Sequence, residues 1–107
     1  NFTVHFDFDS AELRPDALPI LDNAAKALKS NKKVKILLTG HCDERGTPDY
    51  NLALGQRRAE NVRQYLMGKG VSGKVLDTVS MGEEQPVDTG HDEAAWAKNR
   101  RVEFQVK

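Results

Sequence analysis

Hydrophobic and polar residues alternate strictly at the start of the chain, and this pattern predicts a half-buried β-strand over residues 2–8. The apolar residues that would share one face of this strand are Phe2, Val4, Phe6 and Phe8. Three more strands are predicted at residues 34–39, 75–81 and 102–106. The second of the four is apolar enough to be a central strand of the sheet. In the last strand, the inward-facing residues would be Val102, Phe104 and Val106.

Two longer segments show the periodicity of amphipathic helices. Residues 16–30 form the first, and Pro19 fits only its first turn, so Asp16 is the predicted N-cap. The second begins after Thr47, whose hydroxyl would cap it, with Pro48 at the first helical position. Its predicted core residues are Leu52, Gly55, Ala59, Val62 and Leu66, and its end is marked by Gly68 and Gly70. A short helical turn at residues 92–98 would bury Trp96 in the core.

The element order β-α-β-α-β-β predicts one α/β (α+β) domain over residues 1–107. Its four-stranded sheet would be mixed parallel and antiparallel, with the two main helices packed on one face. The first two strands would be parallel if they pair, because a helical crossover joins them. The last two, with no full helix between them, are expected to form an antiparallel pair.

Composition and charge narrow the possible functions. The hydrophobic share of 38% and charged share of 30% are those of a globular domain. Acidic and basic residues balance at 16 each, so no net charge draws the protein to nucleic acid or an anionic membrane. The single cysteine, Cys42, excludes an internal disulfide. No apolar run approaches ~20 residues. The chain opens within the first strand, so we interpret it as the ordered part of a longer precursor.

Polar side chains follow the first two predicted strands at their carboxyl ends. Asp9 and Asp43 lie there, and open α/β sheets tend to bind ligands beyond these ends. The second helix begins beside them and would present Leu54 and Arg58 on one stripe, together with Asn51, and Arg57 on the far side. An arginine binds carboxylates and an aspartate binds ammonium groups, so this arrangement suits a small zwitterion.

A long composite motif adds a family resemblance. The run T-G-H-C-D-E-R-G-T-P-D-Y-N-L-A-L-G-Q-R-R-A at residues 39–59 resembles the signature of the OmpA-like peptidoglycan-binding domain. The opening residues 4–9 and the closing residues 90–102 match the same family. The resemblance therefore covers essentially the whole chain.

The resemblance implies a mixed sheet with helices, no catalysis and no cofactor. It also implies noncovalent binding of the peptide stem of peptidoglycan, chiefly through its diaminopimelate residue. Carried over by motif position, the ligand-binding residues would be Phe8, Asp9, Asp43, Leu54 and Arg58. Asp43 and Arg58 would hold the charged ends of the diaminopimelate side chain, and the backbone of residues 42–47 would complete the site.

Location and partners are likewise implied by the resemblance. Similar proteins lie on the periplasmic face of the outer membrane of Gram-negative bacteria, tethering it to the cell wall, and belong to the Tol-Pal system. They are held there by an N-terminal lipid anchor, which this chain does not contain. We expect such an anchor to be the protein's only attachment to a membrane. Their partners include TolB and other Tol-system proteins, and nucleic acid is not expected.

Other functions remain open on the residues alone. The chain could be a protein-interaction module of the envelope, in which an Asp43–Arg58 pair is purely structural. Wall hydrolysis would need a positioned acid, base or metal that the sequence does not provide. A metal site at residues 41–43 is not expected, because successive side chains point to alternate faces. Arg100 and Arg101 suggest a solvated or salt-bridged end rather than a nucleic-acid patch.

Overall fold

A computed structural model describes residues 2–107 and contains seven main elements, while Asn1, at the predicted start of the chain's first strand, lies outside the described residues. In chain order they are β1 (Thr3–His5), α1 (Ala17–Ser30), β2 (Ile36–His41), α2 (Pro48–Gly68), β3 (Leu76–Gly82), α3 (Glu93–Asn99) and β4 (Arg101–Val106). A single turn of 3-10 helix, Gly73–Val75, precedes β3. This confirms the predicted fold class and element order.

The sheet has the strand order β1-β4-β2-β3. β2 and β3 are parallel and joined by α2, whereas β4 is antiparallel to both β1 and β2. The predicted antiparallel pair of β3 and β4 is therefore wrong. The connection between them includes α3 and is long enough to carry the chain across the end of β2, so the apolar β4 takes an interior position. β1 and β2 do not pair, but they run in the same direction and end at the same edge of the sheet.

The first and last strands depart from the burial that their alternation predicts. Phe6 is fully buried, but β1 stops at His5 and Phe8 is 55% exposed. The chain turns at Phe8 and Asp9, and Asp9 adopts a left-handed backbone conformation with φ 53°, which aspartate tolerates better than most residues. Val106 at the end of β4 is 70% exposed, so its predicted inward position is also wrong.

The core lies between the sheet and the two long helices. Val4 and Phe6, Leu21 from α1, Leu38 from β2 and Val102 from β4 are all fully buried in it. α2 adds three predicted core residues, namely Ala59, Val62 and Leu66. Leu52 was predicted among them wrongly, since it is 47% exposed. It lies in the first turns of α2, beside Gly82, where the helix extends past the end of β3.

Two glycines allow α2 to lie directly on the sheet. A Cβ atom on Gly40 of β2 would stand 1.8 Å from the carbonyl oxygen of Gly55 of α2. A Cβ atom on Gly55 would stand 2.3 Å from Oγ of Ser80 on β3. Real Cβ atoms essentially never come this close to another atom, so side chains at these positions would separate the helix from the sheet. This contact fixes α2 against the carboxyl end of β2.

The helix N-termini follow the predicted capping residues. The Thr47 hydroxyl accepts a hydrogen bond from the backbone N–H of Tyr50, as predicted. Asp16 occupies the N-cap of α1, but its carboxylate accepts hydrogen bonds from Arg14 rather than from the helix backbone. Within residues 2–107, none of the helices combines the length and apolar character needed to cross a membrane.

Candidate functional site

The ends of β1 and β2 and the start of α2 enclose a cleft of about 370 Å³. Its lining residues are Phe8, Asp9, Cys42, Asp43, Arg45, Gly46, Tyr50, Asn51, Leu54 and Arg58. The set includes all five residues predicted to bind ligand. The volume lies within the range of small-ligand sites, roughly 300–1,000 Å³.

Arg58 connects three chain segments from the floor of the cleft. Its guanidinium donates hydrogen bonds to the carbonyl oxygens of Ser10 at 2.8 Å, His41 at 2.8 Å and Asp7 at 3.0 Å. Arg58 is only 1% exposed, and its burial lowers the pKa of the guanidinium, which stays charged at neutral pH. Of the five N–H groups of an arginine, two are not used by these bonds. Arg58 is therefore a structural tie, and two of its N–H groups bond to no other described residue.

Asp43 is held by two other arginines. Arg45 donates to it from its backbone N–H and from its guanidinium, both at 2.9 Å, and Arg100 approaches Oδ2 to 3.4 Å. Burial alone would raise the pKa of Asp43, but the hydrogen bonds from Arg45 outweigh it and lower the pKa below its usual value. Among the described residues, no ion pair joins Asp43 to Arg58. The structural Asp43–Arg58 pair considered from the sequence does not form.

A stacked wall closes one side of the cleft. The Arg45 guanidinium lies 3.9 Å from the ring centroid of Phe8 and 4.2 Å from that of Trp96. The Trp96 indole N–H donates to Glu44 at 2.8 Å. Trp96 is thus half-buried at the surface, and its predicted place in the core is wrong. The indole packs against a flat cation that the loop brings to it, and it keeps its N–H group bonded to a carboxylate.

Asn51 organises the loop between β2 and α2. Its side-chain amide donates to the carbonyl oxygens of Asp43 and Arg45 and to the carboxylate of Glu83. The buried thiol of Cys42 donates to the carbonyl oxygen of Asn51 at 3.2 Å.

The stripe predicted on α2 faces the cleft as expected, since Asn51, Leu54 and Arg58 all line it.

The outer rim of the cleft carries an exposed carboxylate. Asp9 accepts a hydrogen bond from the Tyr50 hydroxyl, and this bond raises the pKa of Tyr50. The ligand-binding residues predicted from sequence include neither Tyr50 nor Arg45, although both line the cleft. The sequence could have indicated Tyr50, because it is the third residue of α2 and points toward the same strand ends. The sequence could not have indicated Arg45, because its position depends on the stacking of Phe8 and Trp96 from distant parts of the chain.

The consecutive arginines before β4 are buried. Arg100 is 5% exposed and bonds to Glu93, and Arg101 is 3% exposed and bonds to Glu103. Arg100 also donates to the carbonyl oxygen of Phe6. The salt-bridged interpretation of these residues is confirmed, and the solvated one is wrong.

His41 lies buried at the end of β2, and neither of its ring nitrogens has a hydrogen-bond partner among the described residues. Burial first, and the charge of Arg101 second, lower its pKa to about 4, against a smaller opposing effect of Glu103. The ring is therefore neutral in the folded protein at pH 7. In the unfolded chain its pKa would be about 6.5.

This difference predicts acid sensitivity. The unfolded state binds a proton first, so the stability contribution of His41 is complete above about pH 6.5 and is lost as the pH falls toward 4. The free energy of unfolding should decrease by about 3 kcal/mol over this range. Denaturant titrations between pH 7 and 4 would measure it. His41→Gln should flatten the decrease and His91→Gln, at an exposed site, should retain it; an unchanged decrease in His41→Gln would contradict the assignment.

Comparison with known proteins identifies the family of this chain and several similar proteins. The OmpA family model matches residues 5–100. The peptidoglycan-associated lipoprotein of Pseudomonas aeruginosa is 53% identical over 102 residues, covering 95% of this chain and 60% of that protein. The protein of the same name from Haemophilus influenzae is 54% identical over 100 residues, covering 94% and 65%. The crystal structure of the peptidoglycan-associated lipoprotein from Burkholderia pseudomallei superposes with a TM-score of 0.97 at 47% identity, covering 100% of this chain and 91% of that one.

The chain belongs to the OmpA family, and its fold is that of the family's mixed α/β domain. Within the family it is similar to the peptidoglycan-associated lipoproteins (Pal). The chain spans less than two thirds of the length of these curated relatives.

Proposed function

We propose that the protein binds the peptide stem of peptidoglycan noncovalently, by enclosing the charged end of its diaminopimelate residue in the cleft. The observation that carries the proposal is the convergence of five motif residues, from three separate chain segments, on one cleft of about 370 Å³. The names of the similar lipoproteins, which are peptidoglycan-associated, support the same ligand.

The cleft offers complementary groups for a zwitterion. The two N–H groups of Arg58 that bind no carbonyl suit a carboxylate, together with the backbone of residues 42–47. The exposed carboxylate of Asp9 suits an ammonium group, and Phe8 and Leu54 provide apolar walls for the methylene chain between the two charges. Asp43 remains in the proposed site and has a second task, which is to hold Arg45 against the wall.

The proposal includes no catalytic step. Cleavage of the wall would need a positioned acid or base beside the scissile bond. The arginines and Asp43 in the cleft are instead fixed by ion pairs and hydrogen bonds, which suits a preorganised binding site. As a wall-binding domain, the protein would act at the periplasmic face of the outer membrane, with TolB and other Tol-system proteins as partners, in line with Pal.

Calorimetric titration with a diaminopimelate-containing stem peptide tests the function. We expect saturable binding of one peptide per chain. An absence of binding, in a protein shown to be folded, would contradict the proposal and favour the alternative of an envelope protein-interaction module.

A further inference from the structure

The balanced net charge conceals a separation of charges along the molecule. The loops that leave β1, β2 and β3, and the segment that leads into β4, all lie at the cleft end, because β4 is antiparallel to its neighbours. These segments and the first turn of α2 carry ten of the acidic residues, namely Asp7, Asp9, Asp43, Glu44, Asp49, Glu83, Glu84, Asp88, Asp92 and Glu93. The opposite end is separated from them by the length of α2, about 30 Å.

The opposite end is rich in lysine. Residues 23–36 and 61–76 meet there and contain no aspartate or glutamate. We define the lysine end by six residues that form no ion pair with any other described residue: Lys26, Lys29, Lys32, Lys33, Lys35 and Lys74. Three acidic residues adjoin these segments in sequence. Asp22 and Asp77 are paired with Lys69 and Lys107, and Glu60 accepts hydrogen bonds from Gln56 and Thr78.

Two apolar grooves lie at this end of the molecule, and two of the lysines line the first of them. One, of about 150 Å³, is lined by Leu28, Val71 and Val75 together with Lys29 and Lys32. The other, of about 210 Å³, shares Leu28 and extends to Val106, which is 70% exposed. The side chain of Lys29 lies along Gly70, with its Cδ 3.2 Å and its Nζ 3.8 Å from where a Cβ atom of residue 70 would stand, so its ammonium group lies at the edge of the first groove.

We propose that the lysine end docks on an anionic lipid headgroup surface. Ammonium groups beside apolar grooves match the boundary between lipid phosphates and acyl chains. Lysine, a compact charge on a flexible stem, suits a diffuse anionic surface, whereas recognition of single phosphates or bases favours arginine and stacked aromatic rings. Among the described residues, no arginine lines either groove, and the only aromatic residues lining them are the half-buried Phe2 and the buried Phe104.

The point at which the chain enters the domain agrees with a lipid surface at the lysine end. Phe2 lies at the lysine end, where its carbonyl oxygen accepts a hydrogen bond from the N–H of Phe104. A segment entering the domain through Phe2 would do so from the lipid side, and the cleft would face the opposite way. The inference rests on the proposed function only in assuming that a lipid surface lies near the wall-binding domain.

Co-sedimentation with vesicles tests the inference. The protein should bind vesicles of phosphatidylglycerol and phosphatidylethanolamine at low salt, should be released by added salt, and should not bind vesicles of phosphatidylcholine. Each lysine near an anionic surface contributes about fivefold, so K29Q/K32Q should weaken binding about 25-fold. The matched control R57Q/K98Q, which removes two exposed positive charges at other sites, should bind nearly as the unmodified protein does.

Three results would overturn the inference. They are equal losses in the two double variants, equal binding to both vesicle types, and stronger binding of polyglutamate than of anionic vesicles, which would indicate an acidic protein partner. The result is independent of peptidoglycan binding, since K29Q/K32Q should titrate normally with the stem peptide. If the protein bound vesicles as expected but did not bind the stem peptide, the proposed function would be contradicted and the lipid contact would stand.

Discussion

Arg58→Lys should weaken binding of the stem peptide by about 2–5 kcal/mol, a loss of ~30-fold or more, while leaving the protein folded. The guanidinium is buried and bonds to three carbonyl oxygens with a fixed fork of donors. A lysine keeps the charge but has one compact ammonium group, which cannot bond to all three carbonyls and still donate into the cleft. Calorimetry would measure the affinity and thermal unfolding the stability.

Arg58→Ala is expected to abolish binding, but it should also destabilise the fold, because three buried carbonyl oxygens lose their donor. Loss of stability at Arg58 therefore does not distinguish a structural residue from a ligand-binding one. Asp43→Asn should likewise lose binding, since it releases Arg45 from the wall of the cleft. Arg57→Ala is the neighbouring control and should bind nearly normally. Equal losses at 57 and 58 would contradict the assignment of the helix face.

Gly40→Ala should destabilise the protein by about 3 kcal/mol or more, at the upper end of overpacking effects. The new methyl group would stand 1.8 Å from the carbonyl oxygen of Gly55, and both partners are backbone atoms that cannot move aside as a flexible side chain would. Because α2 must shift away from β2, Arg58 would also lose its reach to the carbonyl oxygen of His41. Denaturant unfolding would measure the first effect and stem-peptide titration the second.

Gly68→Ala provides the matched control for Gly40→Ala. It lies in the last turn of α2, where an added Cβ would meet nothing within 4 Å. Alanine is favoured over glycine in helices by roughly 1 kcal/mol, so this variant should be as stable as the unmodified protein or slightly more stable. A Gly40→Ala variant that matched it in stability would refute the close contact between α2 and β2.

Periodicity predicted the elements well because most of them satisfy their own local pattern. The cap at Thr47 and the core stripe of α2 depend on neighbours a few residues away, and both were found where expected apart from Leu52. Leu52 could not be excluded from the stripe by spacing alone. Its exposure arises because α2 extends past the end of β3, and that length is a property of the assembled sheet.

The strand order was the main failure, and it is a tertiary effect. β3 and β4 are neighbours in sequence, but β4 inserts between β1 and β2 and so places Val102 in the core. The location of the site was nonetheless predictable, because it needs only that β1 and β2 end at the same edge. A shared direction satisfies this whether or not the two strands pair.

Within the site, the sequence predicted which residues reach the cleft, but it did not predict their hydrogen-bond partners. Asp43 and Arg58 both reach the cleft, yet each is held by partners from distant segments. Arg100, a partner of Asp43, lies 57 positions away in sequence, and Ser10, a partner of Arg58, lies 48 positions away. The stack of Phe8, Arg45 and Trp96 joins two loops and α3 in the same way. Such contacts follow from the fold rather than from any local pattern.

The most direct test of the account is a parallel calorimetric titration with two stem peptides, identical except that lysine replaces diaminopimelate in one. The lysine peptide lacks the carboxylate that we assign to Arg58 and the loop backbone. The account predicts binding of the diaminopimelate peptide and weak or no binding of the lysine peptide. Equal affinity for the two would leave wall binding in place and contradict the zwitterion mechanism.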